Sequence, residues 1–488
     1  MKRDTNNAYW RIFLLLSYQI ITESIKPGEK VLSHAEISKR YHVSGQTART
    51  VLKLLKDCGL IETSHGSVSR SALNPDDWYC YAGYEYASYR IDYLIDILHT
   101  MDILFPPFAL LAARKCDKGT ITELEDIIEN MTAYMDAPVR FWRLTRRFWH
   151  TLEAQAGNAF YMQVRFSLGL FDFPPPVRQR RDEYTEWIDS VLKKIRCGDI
   201  KALHGLANPK NFDEFIEDAY PPLGNFKVPV SSPLVKGVEE IIWRLRDGET
   251  QNKSIFLDII SELAMHGCKP GDQLPSHKEL AATYGVTHNT TVPVVQRLQK
   301  MGVVESIRGR GIFVCMTTEQ IRSLHLEPEE VALRLKRGMD QLQFLALTIK
   351  PVILYGLKKV TADELSALTV KMYQPGNDLG ALLYEAGILQ NFINNHIRYT
   401  ALKAIYSIIH EEVGPRFGLP GIMQYAPETV SDLRKQCAIA ATLMKKNNME
   451  AAAEKMHQFY SRCYSILEDL SKKAGYWEAA QKVPITLS

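Results

Sequence analysis

IFLDIISELAMHGCKPGDQLPSHKELAATYGVTHNTTVPVVQRLQKMGVVESIRGRGIFV, residues 255–314, decides how this chain is read. Ile255, Ile259, Ile260 and Leu263 recur at helical spacing up to Gly267, and Lys269-Pro270-Gly271-Asp272 makes a turn. Ser276 followed three residues later by Glu279 is a capping box, which predicts a second helix from His277. Gly285 closes it, Thr287 caps a third helix, and Gly302 ends that one. Val303-Val304 opens a strand, Arg308-Gly309-Arg310-Gly311 is a basic turn, and Ile312-Phe313-Val314 returns. Three short helices and a hairpin with a cationic tip describe a winged helix-turn-helix, whose third helix is offered to a major groove.

The same pattern occurs earlier in the chain. Lys26-Pro27-Gly28-Glu29 repeats Lys269-Pro270-Gly271-Asp272, and Ser33-His34-Ala35-Glu36 repeats Ser276-His277-Lys278-Glu279 with its capping box. Tyr41, Val43, Ser44 and Thr47 match Tyr284, Val286, Thr287 and Thr290, and Gly59-Leu60-Ile61-Glu62 matches Gly302-Val303-Val304-Glu305. The offset is 243 residues throughout, from 33 to 276 and from 59 to 302. Residues 8–72 are therefore expected to form a second winged helix, although its wing at 64–70 lacks the Gly-x-Gly turn.

The run PGDQLPSHKELAATYGV, the Thr-rich start of helix three and the closing RGRGIFV resemble the DNA-binding domain of GntR-type bacterial transcription regulators. The resemblance covers about sixty residues and several motifs in order, which is more specific than any one of them.

With 488 residues the chain exceeds one compact domain, and its 46% hydrophobic and 24% charged composition is that of a globular protein with sizeable cores. A net charge of +3 requires any nucleic-acid surface to be local. The eight cysteines are scattered without a Cys-x-x-Cys pair and read as reduced. The apolar runs 12–21 and 103–113 are too short to span a bilayer, and the start is polar, so a cytoplasmic protein with no membrane partner is expected.

A long helical region follows each winged helix. Helical spacing covers 89–113, 120–134, 139–157, 161–171 and 181–195, with a capping box at Thr120–Glu123 and an expected break at Pro106-Pro107. In the second half it covers 329–337, 339–359, a helix capped by Thr361, then 382–412, 430–446 and 449–474. The fold class expected is mainly α: winged helices at 1–75 and 249–316, all-α helical bundles at 76–220 and 317–488, and a Pro- and Ser-rich linker with a short helix at 221–248. The helical regions are similar to the effector domain of the FadR subfamily. In the first, Phe148-Trp149-His150 through Ala156-Gly157-Asn158 and the segment 195–202 match its signatures; in the second, 446–453 does. The aromatic cluster 78–86 reads as packing between winged helix and bundle, or as a partner surface.

The candidate DNA contacts are Ser44, Gln46, Thr47, Arg49 and the wing residue His65 in the first unit. In the second they are Lys278, Thr287, His288, Asn289, Thr290, Arg308 and Arg310. Gln and Asn pair bidentately with adenine and Arg with guanine, while helix N-termini and basic wings suit phosphates. Pro293 lies inside the second reading helix, where it threatens the geometry. The run Arg178-Gln179-Arg180-Arg181 reads as a solvated face.

The resemblance implies a metal site of one Asp and three His in many such bundles. His150 meets the first His position, but Arg146, Tyr184 and Lys210 stand at the other ligand positions, His204 is out of register, and Gln390 replaces His150 in the second unit. No metal or cofactor is expected. Arg143, Arg146, Arg147, His150 and Tyr184 instead suggest a pocket for a small-molecule effector, acidic if the arginines hold it.

The leading expectation is a DNA-binding transcription regulator, working as an intramolecular pseudo-dimer or a homodimer. A regulatory fusion enzyme would need a large α/β domain, which the helical regions do not provide. The alternative is an interaction protein whose winged helices have lost DNA binding.

Overall fold

The computed structural model describes residues 9, 12–13, 16–17, 19–20, 25–41, 43–57, 60–62, 68–72, 91–169, 178–199, 251–372, 379–413, 419–422 and 426–483. The linker expected at 221–248, the aromatic cluster 78–86, Lys210, His204 and His65 lie outside the described residues.

Near the N-terminus, Ile12, Phe13, Leu16 and Ile20 recur at helical spacing and are buried with Val31, Ile37, Ala48, Val51, Leu55 and Ile61. Helix α1 (His34–Arg40) starts on the Ser33–Glu36 capping box, and α2 (Gly45–Asp57) follows a short turn. Strand β1 (Ile61–Glu62) pairs antiparallel with β2 (Arg70–Ser71).

Among the described residues, five helices come next: α3 (Ile91–Lys115), α4 (Lys118–Ala133), α5 (Pro138–Ala154), α6 (Ala159–Gly169) and α7 (Arg178–Arg196). Two local expectations fail here. α3 runs through Pro106 and Pro107, which sit between the buried Leu104 and Phe108, so core packing outweighs the lost backbone bonds. α4 is not started by a Thr120–Glu123 box. Asp117, three residues earlier, accepts the Thr120 N–H at 2.7 Å and begins the helix at Lys118.

The second winged helix contains α8 (Gln251–His266), β3 (Gln273–Leu274), α9 (His277–Tyr284), α10 (His288–Lys300), β4 (Val304–Ile307) and β5 (Gly311–Val314). Its strands order β3-β5-β4, a three-stranded sheet in place of the expected hairpin. The added strand is two residues long and held by pairing with Ile312 and Phe313.

Backbone bonds within 28–72 and within 271–315 correspond at the 243-residue offset. Gly28 N–H donates to the Ser71 carbonyl at 2.7 Å, and Gly271 N–H to the Val314 carbonyl at 2.8 Å. Leu60 donates to Leu55 and Val303 to Leu298, at 2.9 and 3.0 Å. Ala72 donates to Leu60 and Cys315 to Val303, at 3.1 and 2.9 Å. Both capping boxes form, and Gly28 and Gly271 both take positive φ, 78° and 97°, at the turn before the first short strand or bridge.

The C-terminal region comprises α11 (Thr318–Arg322), α12 (Pro328–Pro351), a π-turn (Val352–Gly356), α13 (Ala362–Lys371), α14 (Leu379–His396), α15 (Thr400–Val413), α16 (Pro427–Lys445), α17 (Met449–Lys473) and α18 (Trp477–Gln481). The two helices expected at 329–337 and 339–359 are one, since Gly338 and its neighbours are buried and held. The single helix expected at 382–412 is two, broken where Arg398 N–H and Lys358 N–H exchange bonds with the Gly356 and His396 carbonyls.

The two helical regions meet along α3 and α12, with α6 packed on α12 and α15 on α3. Each lends a carboxylate to the other's helix start. Asp340 of α12 accepts the Ala159 N–H at the head of α6 at 2.9 Å. Asp96 of α3 accepts the Thr400 and Ala401 N–H groups at the head of α15 at 2.6 and 2.7 Å. Asn158 donates to the Asp340 carbonyl at 2.8 Å, and Lys336, ion-paired with Asp340, donates to the Gly157 carbonyl at 3.0 Å. These exchanged caps satisfy orphan helix-terminal donors across the junction. The second winged helix shares one apolar core with both helical regions, whereas the first has its own.

Candidate nucleic-acid interface

In residues 251–314, the candidate DNA contacts expected from sequence stand on the first turn of α10. His288 and Asn289 are exposed and Thr290 half-buried, while Thr291, Val294, Val295 and Leu298 are buried on the opposite face against α8 and α9. Thr287 stands at the N-cap, but its hydroxyl bonds the Thr290 hydroxyl at 3.1 Å in place of a backbone N–H. α10 continues through Pro293, which is exposed, so the proline does not break this helix. Lys278 is exposed on α9, whose Ser276–Glu279 box holds the Glu279 carboxyl below the usual carboxylate range through the bonds to Ser276.

The wing is built by chain geometry that only glycine permits at one position. Gly311 has φ +126°, and a Cβ there would lie 2.6 Å from Gln273 Nε2, the amide that donates to the Arg310 carbonyl at 3.2 Å. Gly309 takes φ +75° at the tip. Arg308 and Arg310 flank it, both exposed. At the far end of α10, Arg297 lies 3.8 Å from the Phe256 ring centroid and pairs with Glu330 at the start of α12, tying the reading helix to the helical region. Arg334 pairs with Asp258 of α8 at 2.9 Å, a second tie between the same bodies.

In the N-terminal part of the chain, Gln46 and Arg49 are exposed on α2, as is Lys53 one turn further on. Ser44 accepts the Thr47 N–H at 3.1 Å and its hydroxyl bonds the Thr47 hydroxyl at 2.8 Å, the counterpart of the Thr287–Thr290 pair. Arg70 is drawn back onto the turn, donating to the Gly28 carbonyl at 2.9 Å.

The interior of the first helical region carries charge. Arg143 and Arg146 on α5 are each 5% exposed, and Glu153 on the same helix is buried, receiving Arg165 at 3.2 Å and the Tyr161 hydroxyl at 3.1 Å. Burial, with Arg165 and Arg146 beside it, pushes the His150 imidazole down to about 4, so it is neutral at physiological pH. Trp149 Nε1 donates to the Tyr184 hydroxyl at 2.7 Å. Two arginines are reassigned. Arg147 is exposed and pairs with Glu123 at 3.1 Å, because the helical turn carries it to the outer face and out of the expected pocket. Arg181 is not solvated but 5% exposed, and its Nε donates to the Met135 carbonyl at 2.7 Å. Glu153, Arg165 and Trp149 were missed in sequence; the spacing of Arg146, His150 and Glu153 along one helical face was the available signal.

The matching face of the second helical region is neutral: Gln390 and Asn394 are buried on α14, and Asn394 donates to the Ser407 hydroxyl at 2.9 Å. Among the described residues no group of three or more His, Cys, Asp or Glu comes together in a way that could hold a metal ion. Nor is any helix among them long and apolar enough to cross a membrane.

Comparison with known proteins bears on the DNA-binding half. Residues 252–314 match the family described as bacterial regulatory proteins, gntR family. The chain is 27% identical over 105 residues to the HTH-type transcriptional repressor YtrA of Bacillus subtilis, covering 19% of this chain and 81% of that one. It is 30% identical over 115 residues to YhcF, an HTH-type transcriptional regulator of the same organism, covering 22% and 92%. Solved structures also align. One is E. coli McbR/YncC, at 11% identity over 44% of this chain and 99% of that one, with a TM-score of 0.26. Another is Lar, which controls expression of the Listeria monocytogenes agr system, at 13% over 46% and 98%, with a TM-score of 0.23. Those scores are too low to bear on the arrangement of this chain. Matched across its helix-turn-helix and nearly the full length of a regulator at 30% identity, the chain belongs to the gntR family of bacterial regulatory proteins.

Proposed function

We propose that this regulator binds double-stranded DNA through two winged helices that arose by tandem duplication, paired within one chain, and that a small molecule held in the first helical region biases their spacing. One observation carries the DNA-binding reading. The exposed first turn of α10 and the two wing arginines belong to one domain, the one that matches the family, and offer base-reading and phosphate-binding groups together.

Duplication is supported by backbone bonds that correspond at a constant 243-residue offset. Pairing within the chain is supported by the exchanged caps, Asp96 on α15 and Asp340 on α6, each helical region completing a helix of the other. The effector reading is supported by the buried Arg143 and Arg146 of α5, Arg146 beside a neutral His150, a setting that suits an anionic group; the neutral Gln390 and Asn394 make the second region a poor counterpart. The FadR-like character of both helical regions belongs to the same proposal. A ligand that favours one spacing of the winged helices shifts DNA affinity by its differential affinity for the two arrangements.

The alternative, winged helices that serve protein contacts, is favoured at the first unit by Arg70, which turns onto Gly28. Binding of the full chain to an arbitrary duplex, strong at low salt and abolished at high salt, separates the readings. Genomic footprinting then identifies the operator. Absence of DNA binding at low salt would leave the interaction reading.

A further inference from the structure

Two imidazoles meet on the reading face of the second winged helix. His277 opens α9 and His288 opens α10, and their ring centroids lie 5.2 Å apart, tilted by 49°. Between them is Thr291, fully buried, whose hydroxyl is 2.9 Å from the His288 carbonyl and 3.1 Å from His277 Nδ1. A hydroxyl has one proton to give. With that proton on the His288 carbonyl, Thr291 accepts from His277 Nδ1–H, which leaves the lone pair of the neutral, partly exposed His277 ring on Nε2. Each ring thus stands at a helix N-terminus, where backbone N–H groups favour an anion.

We propose that His277 and His288 form a phosphate contact of the second winged helix that takes up a proton from solvent as the DNA backbone docks. This rests on the DNA-binding reading above. Protonation converts Nε2 of His277 from an acceptor, which repels a phosphate oxygen, into a donor. Charging the His277 ring is opposed in the free protein with His288 only 5.2 Å away, and a phosphate oxygen at the His277 ring offsets that cost. Burial, and then His288, hold the His277 imidazole below its ordinary value. The other charged groups of these helices are Lys278 and Glu279 beside His277, with Arg297 and Lys300 at the far end of α10. Glu279 is tied to Ser276 and Arg297 to Glu330. Of the carboxylates on these two helices and at the start of α12, Glu279 is thus engaged by Ser276 and Glu330 by Arg297. The first winged helix lacks the device: His34 stands opposite His277, but Gly45 stands opposite His288.

The sign follows from linkage. Phosphate raises the imidazole above its free value, so the contribution to affinity is full below the free value and is lost as pH rises through the bound one. The test is fluorescence anisotropy of the full chain on an arbitrary duplex of roughly 30 base pairs, which exceeds a single turn of helix. Ionic strength is fixed and pH runs from about 6 to about 8, a range that brackets an ordinary imidazole. Wild type should weaken about tenfold over that range, the value of one proton whose affinity shifts by one pH unit. His277→Gln should remove most of that dependence and His288→Gln should reduce it, each read as the ratio of the variant's own affinities at the two ends of the range. His288 is exposed, so its variant keeps the test valid even if the His277 variant melts early. A wild-type affinity independent of pH, or variants that keep the full dependence, overturns the proposal and leaves the DNA-binding reading intact. No binding at any pH overturns both.

Discussion

Removing the wing cations tests one part of the proposed DNA contact without disturbing the fold. Arg308 and Arg310 are exposed, the turn between them is set by Gly309 and Gly311, and the Gln273 bond is to the Arg310 carbonyl, which alanine retains. Arg308→Ala/Arg310→Ala should therefore melt like wild type. If each guanidinium neutralises one phosphate, the slope of log affinity against log salt should flatten by about 1.8, from roughly 0.9 per contact. Between about 50 and 200 mM salt the variant should then lose about tenfold less affinity than wild type, and at about 150 mM it should bind roughly 30-fold more weakly. Anisotropy titrations on an arbitrary duplex at several salt concentrations give both numbers. An unchanged slope, with both proteins folded, would refute the placement of these arginines on the backbone. A loss confined to one sequence would make them base readers instead.

Other perturbations read other parts of the account. Gly311→Ala should cost about 1–3 kcal/mol in urea unfolding, because it forces a side chain into positive φ against Gln273, and should weaken DNA binding without removing a charge. Asp96→Ala should cost about 1–2 kcal/mol, since it strips the start of α15 of a cap supplied by the other helical region; an unchanged unfolding midpoint would mean that the cap does not form in solution. His150 is neutral when folded, with its imidazole lowered to about 4 from 6.5, and the unfolded chain binds the proton first. Stability should thus fall as pH drops from 6.5 towards 4, by up to about 3 kcal/mol, and His150→Gln should flatten that fall in denaturation curves measured across the range.

Local signals carried much of the fold. Ser33–Glu36, Ser276–Glu279 and Thr361–Glu364 all form the boxes their spacing predicts, because a cap is decided within four residues. The constant offset between the halves was legible for the same reason, since it repeats turn and cap chemistry. Where two local signals competed the reading failed: Asp117 and Thr120 both precede a helical run, and the earlier one won. Proline at 106 and 107 was overridden by a core assembled from distant helices, and Arg181 sits in a run that looks solvated yet is buried by tertiary packing. The exchanged caps left no trace in sequence, because Asp96 and Thr400 are separated by 304 residues and neither side of the pair has a local pattern. Of the candidate site, the exposed turns and wing were readable from helix starts and glycines. His277 was not, because a histidine after a cap looks like any polar first-turn residue until its ring is seen against His288.

The central claim is that one chain reads DNA as a pair of unlike winged helices. Gly45, Gln46, Thr47 and Arg49 open one reading helix, and His288, Asn289, Thr290 and Val292 the other. The direct measurement is footprinting of wild type and Arg49→Ala on the operator, with the mass of the complex determined on the same fragment. The account predicts one chain per operator and half-sites of different sequence. It also predicts that Arg49→Ala relaxes preference in one half only, by about 1–3 kcal/mol for a guanine contact. Two chains on a palindrome, with both halves weakened equally, would contradict it.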